Sequence, residues 1–285
     1  MFFNKKELSF HAVPDKPDPV LAKHLQEIIG GQFGEMSVAM QYLFQGWNTR
    51  GNERYKDLLM DTGTEELGHI EMIATMVARL LEGAPVTEQE KGAANPLIGA
   101  IMGGMSPKDV LVEGMNPQHA IVSGLGAMPV NSVGVPWNAG YIVASGNLLA
   151  DMRHNVMAES QGRLQVARLY GMTDDKGVKD MLSFLLARDT MHQNQWLAAI
   201  KDLEATEGGV ICPTTVPPEW EATEFSHTLY NHSESEDSAE LPWLKGNAPD
   251  GHPFSYDQGK AFGEKPVLSP APPSLHNTLP AEDLK

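Results

Sequence analysis

The sequence predicts a mainly α protein: a four-helix bundle with a long glycine-rich crossover connection and an extended C-terminal arm. Three observations predict it. Apolar residues recur at spacings of three and four over four separate stretches. A run from about residue 82 to 140, between the second and third stretches, is dotted with glycines and prolines. From Pro213 onward the composition turns to Pro, Ser and acidic residues, as in "SESEDSAE" and "SPAPPSLHNTLP".

Taken in order, residues 1–18 form an N-terminal segment in which Asp15 and Pro17, with Pro19 just beyond, come before any apolar stretch of signal-peptide length. The first helix is expected from about Pro19 to Trp47, on the strength of Leu21, Leu25, Ile28, Ile29, Val38, Tyr42 and Leu43. "NTRGNER" breaks it, and so short a break implies an antiparallel neighbour. That second helix is expected from about Glu53 to Leu81, stopped by Gly83 and Pro85. A third is expected from about Ile142 to Tyr170 with Gly171 as its C-cap, and a fourth from about Asp174 to Leu203, ending near Gly208 and Gly209. Residues 19–208 thus form the bundle, and 209–285 an arm without a core of its own. Trp220, Phe225, Tyr230, Trp243 and Phe254 are costly to leave in water, so the arm is expected to lie along its own subunit or a neighbour.

Composition narrows the function. With 41% hydrophobic residues the chain of 285 can build a substantial core. Its 37 acidic residues against 21 basic give a net charge of −16, which repels phosphate backbones and anionic lipid. Nucleic-acid and membrane-surface partners are disfavoured; a small uncharged substrate is not. Cys212 is the only cysteine, so no internal disulfide is possible. The longest segment free of Asp, Glu, Lys and Arg, Gly114 to Ala150, carries repeated Gly, Pro and Asn and suits a packed loop better than a membrane span. The expectation is a soluble cytoplasmic protein.

Each helix places an acid on its apolar face. Glu35 is in line with Val38, Ala39 and Tyr42; Glu66-Leu-Gly-His69 is in line with Ile70, Ile73 and Val77. Glu159 aligns with Met152, Val156 and Val166, and Asp189-Thr-Met-His192 with Leu185, Leu186 and Trp196. Residues i and i+3 share a helical face, so one helix can offer an oxygen and a nitrogen to the same point. Two helices with one acid each and two with acid-x-x-His form the layout of carboxylate dimetal bundles. A lone ExxH arises often by chance, and a lone helical Glu is ordinarily solvated; the fourfold match carries the reading. Glu65 and Glu71, off the apolar face, read as surface charges, and His154 as a polar-face or interface histidine.

The segments "GQFGEMSVAMQYLFQ", "DTGTEELGHIEM", "NPQHAIVSGLGAMPVNSVGVPWNAGYI" and "AESQGRLQVARLYG…DTMHQNQW" resemble the manganese (non-haem) catalases, in family order and over most of residues 1 to about 235. The resemblance implies a ferritin-like bundle, a homohexamer with C-terminal arms wrapping neighbours, and disproportionation of hydrogen peroxide to water and dioxygen at two manganese ions. It implies Glu35, Glu66, His69, Glu159 and His192 as ligands, with Glu66 bridging. Asp189 takes the place of a proton-transferring acid that is glutamate in other members, and Tyr42 that of a tyrosine hydrogen-bonded within the site. Where some members carry an arginine before the third-helix glutamate, this chain has Ala158, with Arg163 one turn further on. Calcium, bound between subunits in some members, would fall to Asp57, Asp61, Asn231, Ser233 and Ser235, oxygen donors suited to that ion. The "GLGAMPVNSVGVPW" loop is expected to shape a narrow channel. The competing readings are a di-iron peroxidase of the rubrerythrin type, which usually adds a Cys-x-x-Cys module, an iron-storage ferritin, which is shorter, and a structural spore-coat relative with little turnover.

Overall fold

Asp18 starts the bundle: its carboxylate accepts from the backbone N–H groups of Val20 and Leu21, and Pro19 supplies a first helical residue that needs no donor. The computed structural model describes residues 5–83, 116–269 and 271–277. Two compact units divide the chain, residues 1–215 and 216–285.

In the first unit, α1 (Pro19–Leu25) and α2 (Glu27–Gly30) are followed by a break at residues 31–34 and then α3 (Glu35–Asn48). The single helix expected over Pro19–Trp47 is therefore three pieces. A tertiary contact explains the interruption. The backbone of Val130 passes so close to Gly30 that a Cβ there would lie 2.5 Å from its carbonyl carbon. The Gln26 side chain anchors the same strip, donating to the carbonyls of Met128 and Val130 at 2.8 and 2.9 Å. The restart makes Glu35 the first residue of α3, at the positive end of its helix dipole.

α4 (Glu53–Leu81) has the bounds expected and packs along α3. Of the glycine-rich connection, residues 84–115 lie outside the described residues. From residue 116 the chain forms α5 (Pro117–Ile121), an isolated bridge between Val130 and Pro136, and a 3₁₀ turn at Ala139–Tyr141. α6 (Leu148–Gly171) begins six residues later than the expected Ile142. Residues before it are held extended: the Val143 N–H donates to Gln41 and its carbonyl accepts from Gln45, while Asn147 caps the helix through the Ala150 N–H. The helix includes Gly171 and is capped by Met172 rather than by the glycine. α7 (Lys176–Glu207) starts at an Asp175 cap and ends where Gly208 takes the left-handed conformation, φ +75°.

α3 pairs with α4 and α6 with α7, and the pairs close into a bundle through α3–α6 and α4–α7 contacts. Two apolar clusters fill it. One holds Leu25, Ile28, Ile73, Leu80, Leu182 and Leu185; the other holds Tyr42, Leu59, Met152, Trp196 and Leu203. Near one end of the second cluster, Gln41, Gln45 and Asn155 form a buried amide network with contacts of 2.8 to 2.9 Å that ties α3 to α6. Among the described residues no helix is long and apolar enough to cross a membrane.

The second unit, where an extended arm is expected, contains one strand pairing among the described residues. β1 (Thr228–Asn231) pairs in parallel with β2 (Ser255–Gln258), in the register Thr228 to Ser255, and a short α8 (Pro273–His276) comes after them.

Gly30→Ala should lower bundle stability by about 1–3 kcal/mol, because backbone rather than a flexible side chain must retreat. Thermal unfolding of the purified variant measures this, and an unchanged midpoint would contradict the close approach described.

Candidate metal centre

On α4 and α7 the buried polar residues, among them Glu66, His69, Asp189 and His192, fall between a stretch contributing to one apolar cluster and a stretch contributing to the other; Glu159 on α6 lies between Ala158 of one cluster and Val166 of the other, and Glu35 opens α3 next to them. The result is a polar layer at the waist of the bundle. Glu35, Glu66, His69, Glu159, Asp189 and His192 are all less than a tenth exposed.

Their donor atoms form two overlapping triads, Glu35–Glu66–His69 and Glu66–Glu159–His192, with the atoms of each triad within 4.8 Å of one another. Glu66 belongs to both. Its Oε2 lies 2.6 Å from His69 Nδ1 and its Oε1 lies 2.7 Å from His192 Nδ1. Glu35 lies 4.0 Å from His69 Nδ1, and Glu159 lies 3.4 Å from His192 Nδ1. The two imidazoles face each other, with centroids 5.9 Å apart and planes 25° apart.

Both rings turn Nδ1 toward the carboxylates and Nε2 the other way, toward one residue, Glu65. Its Oε1 is 3.5 Å from His69 Nε2 and its Oε2 is 3.3 Å from His192 Nε2. Arg188 grips the same carboxylate, Nε to Oε1 at 2.5 Å and a terminal nitrogen to Oε2 at 3.2 Å. Glu65 is therefore not the surface charge its position off the apolar face suggested. It sits between two histidines from different helices and places its charge beside their outer nitrogens, neither of which makes an aligned hydrogen bond. Carboxylates in this outer position fix the tautomer and direction of metal-binding histidines. Its i,i+4 relation to His69 was visible in the sequence; its contacts with His192 and Arg188, on another helix, were not. Glu71, by contrast, is exposed, and His154 is half-buried with Asp151 as its charged neighbour.

Tyr42 donates to Glu159 Oε1 at 2.5 Å and packs against Trp196 at a centroid distance of 4.9 Å. Burial and the neighbouring Glu159 and Glu66 push its pKa well up, so it remains a donor. Asp189, on α7, leaves its Oδ2 without a hydrogen-bond partner. Burial, with help from Glu159 and Glu66, raises its pKa to about 8. Beside it, Phe33, Glu35, Val38, Ala158, Glu159 and Gly162 line a recess of about 10 Å³, room for about one water-sized molecule. Ala158 leaves that recess open where a longer side chain would fill it. Arg163 does not substitute: it is exposed and its Nε contacts Thr190 Oγ1 at 3.3 Å. Nor does the "GLGAMPVNSVGVPW" loop line the recess. Its Ala127, Met128, Pro129 and Trp137 border an apolar groove with Met36, Met40, Leu67 and Ile70 instead.

The charge balance identifies what the layer is suited to hold. Four buried acids meet two imidazoles. Burial raises the pKa of Glu35 and Glu159, while the histidines hold Glu66 well below the usual carboxylate range. Burial opposes imidazolium, yet the surrounding carboxylates outweigh it and push His69 to about 11 and His192 to about 12. His192 Nδ1 lacks a well-aligned hydrogen bond despite its short contacts. Carboxylates on both sides, imidazoles aimed inward and orphaned polar atoms fit a pair of divalent cations, which would supply the positive charge that buried carboxylates require.

The five residues offered as calcium ligands divide differently. Asp57 and Asp61 are exposed on α4 in the first unit. In the second unit, Asn231 Oδ1 accepts from the backbone and hydroxyl of Ser233, both at 2.9 Å, and Ser235 closes the turn through its carbonyl.

The family model described as manganese containing catalase matches residues 1–284. A manganese catalase of Bacillus subtilis is 69% identical over 284 residues, covering 99% of this chain and 100% of the relative. One of Lactiplantibacillus plantarum is 47% identical over 278 residues, 97% of this chain and 99% of its own. The crystal structure of KatB, a manganese catalase from Anabaena PCC7120, superposes with a TM-score of 0.68 at 27% identity, over 90% of this chain and 98% of that one.

Glu65→Gln removes the charge facing both outer nitrogens while leaving the inner donors in place. It should weaken metal binding by about 10–100-fold. Chelator competition followed by elemental analysis reads this directly, and wild-type retention of metal would return Glu65 to the status of a surface charge.

Proposed function

Within the manganese-containing catalase family, to which this chain belongs, we propose that Glu35, Glu66, His69, Glu159 and His192 hold two manganese ions per subunit. The chain is a catalase, an oxidoreductase that disproportionates hydrogen peroxide to water and dioxygen. The observation that carries the site assignment is the pair of triads sharing Glu66, with one of its oxygens directed to each histidine. Glu35 and His69 complete one side; Glu159 and His192 complete the other. Identity of 69% to a relative named a catalase favours this reading over a di-iron peroxidase, a ferritin or a purely structural coat protein.

Manganese bound there supplies Lewis acidity and storage for the two electrons exchanged in each half-reaction. The remaining work belongs to the chain. Disproportionation moves protons from one peroxide to the oxygens of another, so a group able to hold and return a proton within hydrogen-bond reach is needed. Asp189 is that group. Its raised pKa lets its carboxyl oxygen carry the proton near neutrality, and its unpartnered Oδ2 is free to exchange it. Tyr42 holds Glu159 in one orientation by donating its hydroxyl hydrogen. Glu65, backed by Arg188, sets a negative charge beside both Nε2 atoms, which favours the proton on that side and leaves Nδ1 to face inward. The small recess beside Asp189 and Ala158 has room for about one water-sized molecule, which is far too little for a bulky reductant.

The same reading extends to the assembly. A homohexamer with C-terminal arms on neighbouring subunits gives the exposed Trp220 and Trp243, 77% and 60% accessible in the single chain, a surface to cover. Calcium joined by Asp57 and Asp61 of one subunit and Asn231, Ser233 and Ser235 of another would brace that contact. A single cysteine suits a reducing cytoplasm.

Asp189→Asn keeps the shape but cannot pass a proton. Turnover, followed as dioxygen release, should fall by about 10²–10⁴-fold with manganese content unchanged; undiminished turnover would remove Asp189 from the mechanism. Replacing Asp57 and Asp61 together by Asn should abolish bound calcium and shift the hexamer toward smaller species in light scattering, with the polar layer intact. Equal calcium in the wild type and the double variant would refute that ligand set.

A further inference from the structure

Far along the sequence from the bundle's ligands, the second unit assembles another set of metal-binding side chains. His227 immediately precedes β1, and Asp250 and His252 lie on a hairpin leading into β2. Parallel pairing brings these two strand starts side by side: the register sets Thr228 against Ser255, and the Ser255 N–H donates to the His227 carbonyl at 2.9 Å. The hairpin is closed independently. Asn247 bridges Pro253, Ala248 N–H donates to the His252 carbonyl at 2.7 Å, and Gly251, at φ +92°, makes the left-handed turn between Asp250 and His252.

The three side chains converge on one point. His227 Nε2 lies 2.8 Å from Asp250 Oδ2, and His252 Nδ1 lies 3.6 Å from Asp250 Oδ1. One nitrogen from each ring and one carboxylate oxygen fall within 4.8 Å of each other. The rings are stacked, centroids 4.7 Å apart at 28°. The His252 backbone N–H, 3.3 Å from Asp250 Oδ1, further fixes the carboxylate. His227 and Asp250 are largely covered, at 23% and 24% side-chain exposure, while His252, at 67%, faces solvent and leaves an entry path.

We infer that His227, Asp250 and His252 form a second, mononuclear site for a first-row divalent transition metal of the zinc class, separate from the layer in the bundle. Two imidazole nitrogens with one carboxylate oxygen match zinc, cobalt, nickel or copper, whereas calcium asks for an all-oxygen set of higher number. Three protein donors leave one or more positions for water, or for a donor from another molecule.

The test uses manganese-loaded enzyme titrated with Co²⁺ and with Zn²⁺, with manganese retention checked by elemental analysis. Wild type should take up one further equivalent per chain, giving visible Co²⁺ absorption bands that Zn²⁺ bleaches and Ca²⁺ does not. His252→Gln, at an exposed position that folding does not depend on, should bind this equivalent more than about tenfold more weakly, with peroxide turnover unchanged. Asp250→Asn should do the same while retaining the turn. The inference is overturned if wild type takes up no additional metal or the added metal only displaces manganese. It is equally overturned if His252→Gln binds as wild type does, or if Ca²⁺ competes as well as Zn²⁺.

Discussion

Burial of four carboxylates at the waist of a helical bundle is the constraint on which the rest depends. Glu35, Glu66, Glu159 and Asp189 stand between two apolar clusters, where each charge left uncompensated costs several kcal/mol. Two imidazoles cannot balance four acids. The protein's own groups respond by shifting their protonation: Glu35, Glu159 and Asp189 are pushed toward the neutral form, while both histidines are pushed toward the charged one. A layer so strongly driven to gain positive charge is suited to cations, and Glu66 at its centre gives one oxygen to each half.

Around that layer lies a ring of residues that set direction rather than supply charge. Glu65 faces both outer imidazole nitrogens and is held in turn by Arg188; Tyr42 holds Glu159. The depth of these groups differs with their task. Glu65 is a third exposed and meets an arginine at the surface, so its charge is partly screened by solvent. The inner acids have no such relief. Asp189 is distinct among them, because its free oxygen borders a recess of molecular size, and Ala158 keeps that recess clear.

The scaffold supports this arrangement through contacts that are not helical at all. The strip at Met128–Val130 lies against Gly30 and Gln26 and interrupts the first helical stretch, which lets α3 begin at Glu35. The Gln41–Asn155–Gln45 network crosses from α3 to α6, and through Val143 it also holds the chain entering α6. These buried amides satisfy one another, so they fix the relative position of α3 and α6, which carry Glu35 and Glu159, without leaving polar groups unpaired.

The sequence by itself determined the four long helical stretches, the acid on each apolar face and the acid-x-x-His spacing on two of them. It could do so because helical periodicity is local: i, i+3 and i+4 relations need no knowledge of the partner. It also carried the bounds of the second helix, where apolar spacing, Gly83 and Pro85 agree. The tertiary structure alone decided where the first stretch breaks and where the third begins, because both depend on backbone arriving from a distant loop. It alone gave Glu65 its role, since residues 123 positions away in the chain complete its contacts. The same holds for His227 and His252, brought together by strand register. Spacing along one helix shows which atoms share a face; only the packed chain shows which faces meet.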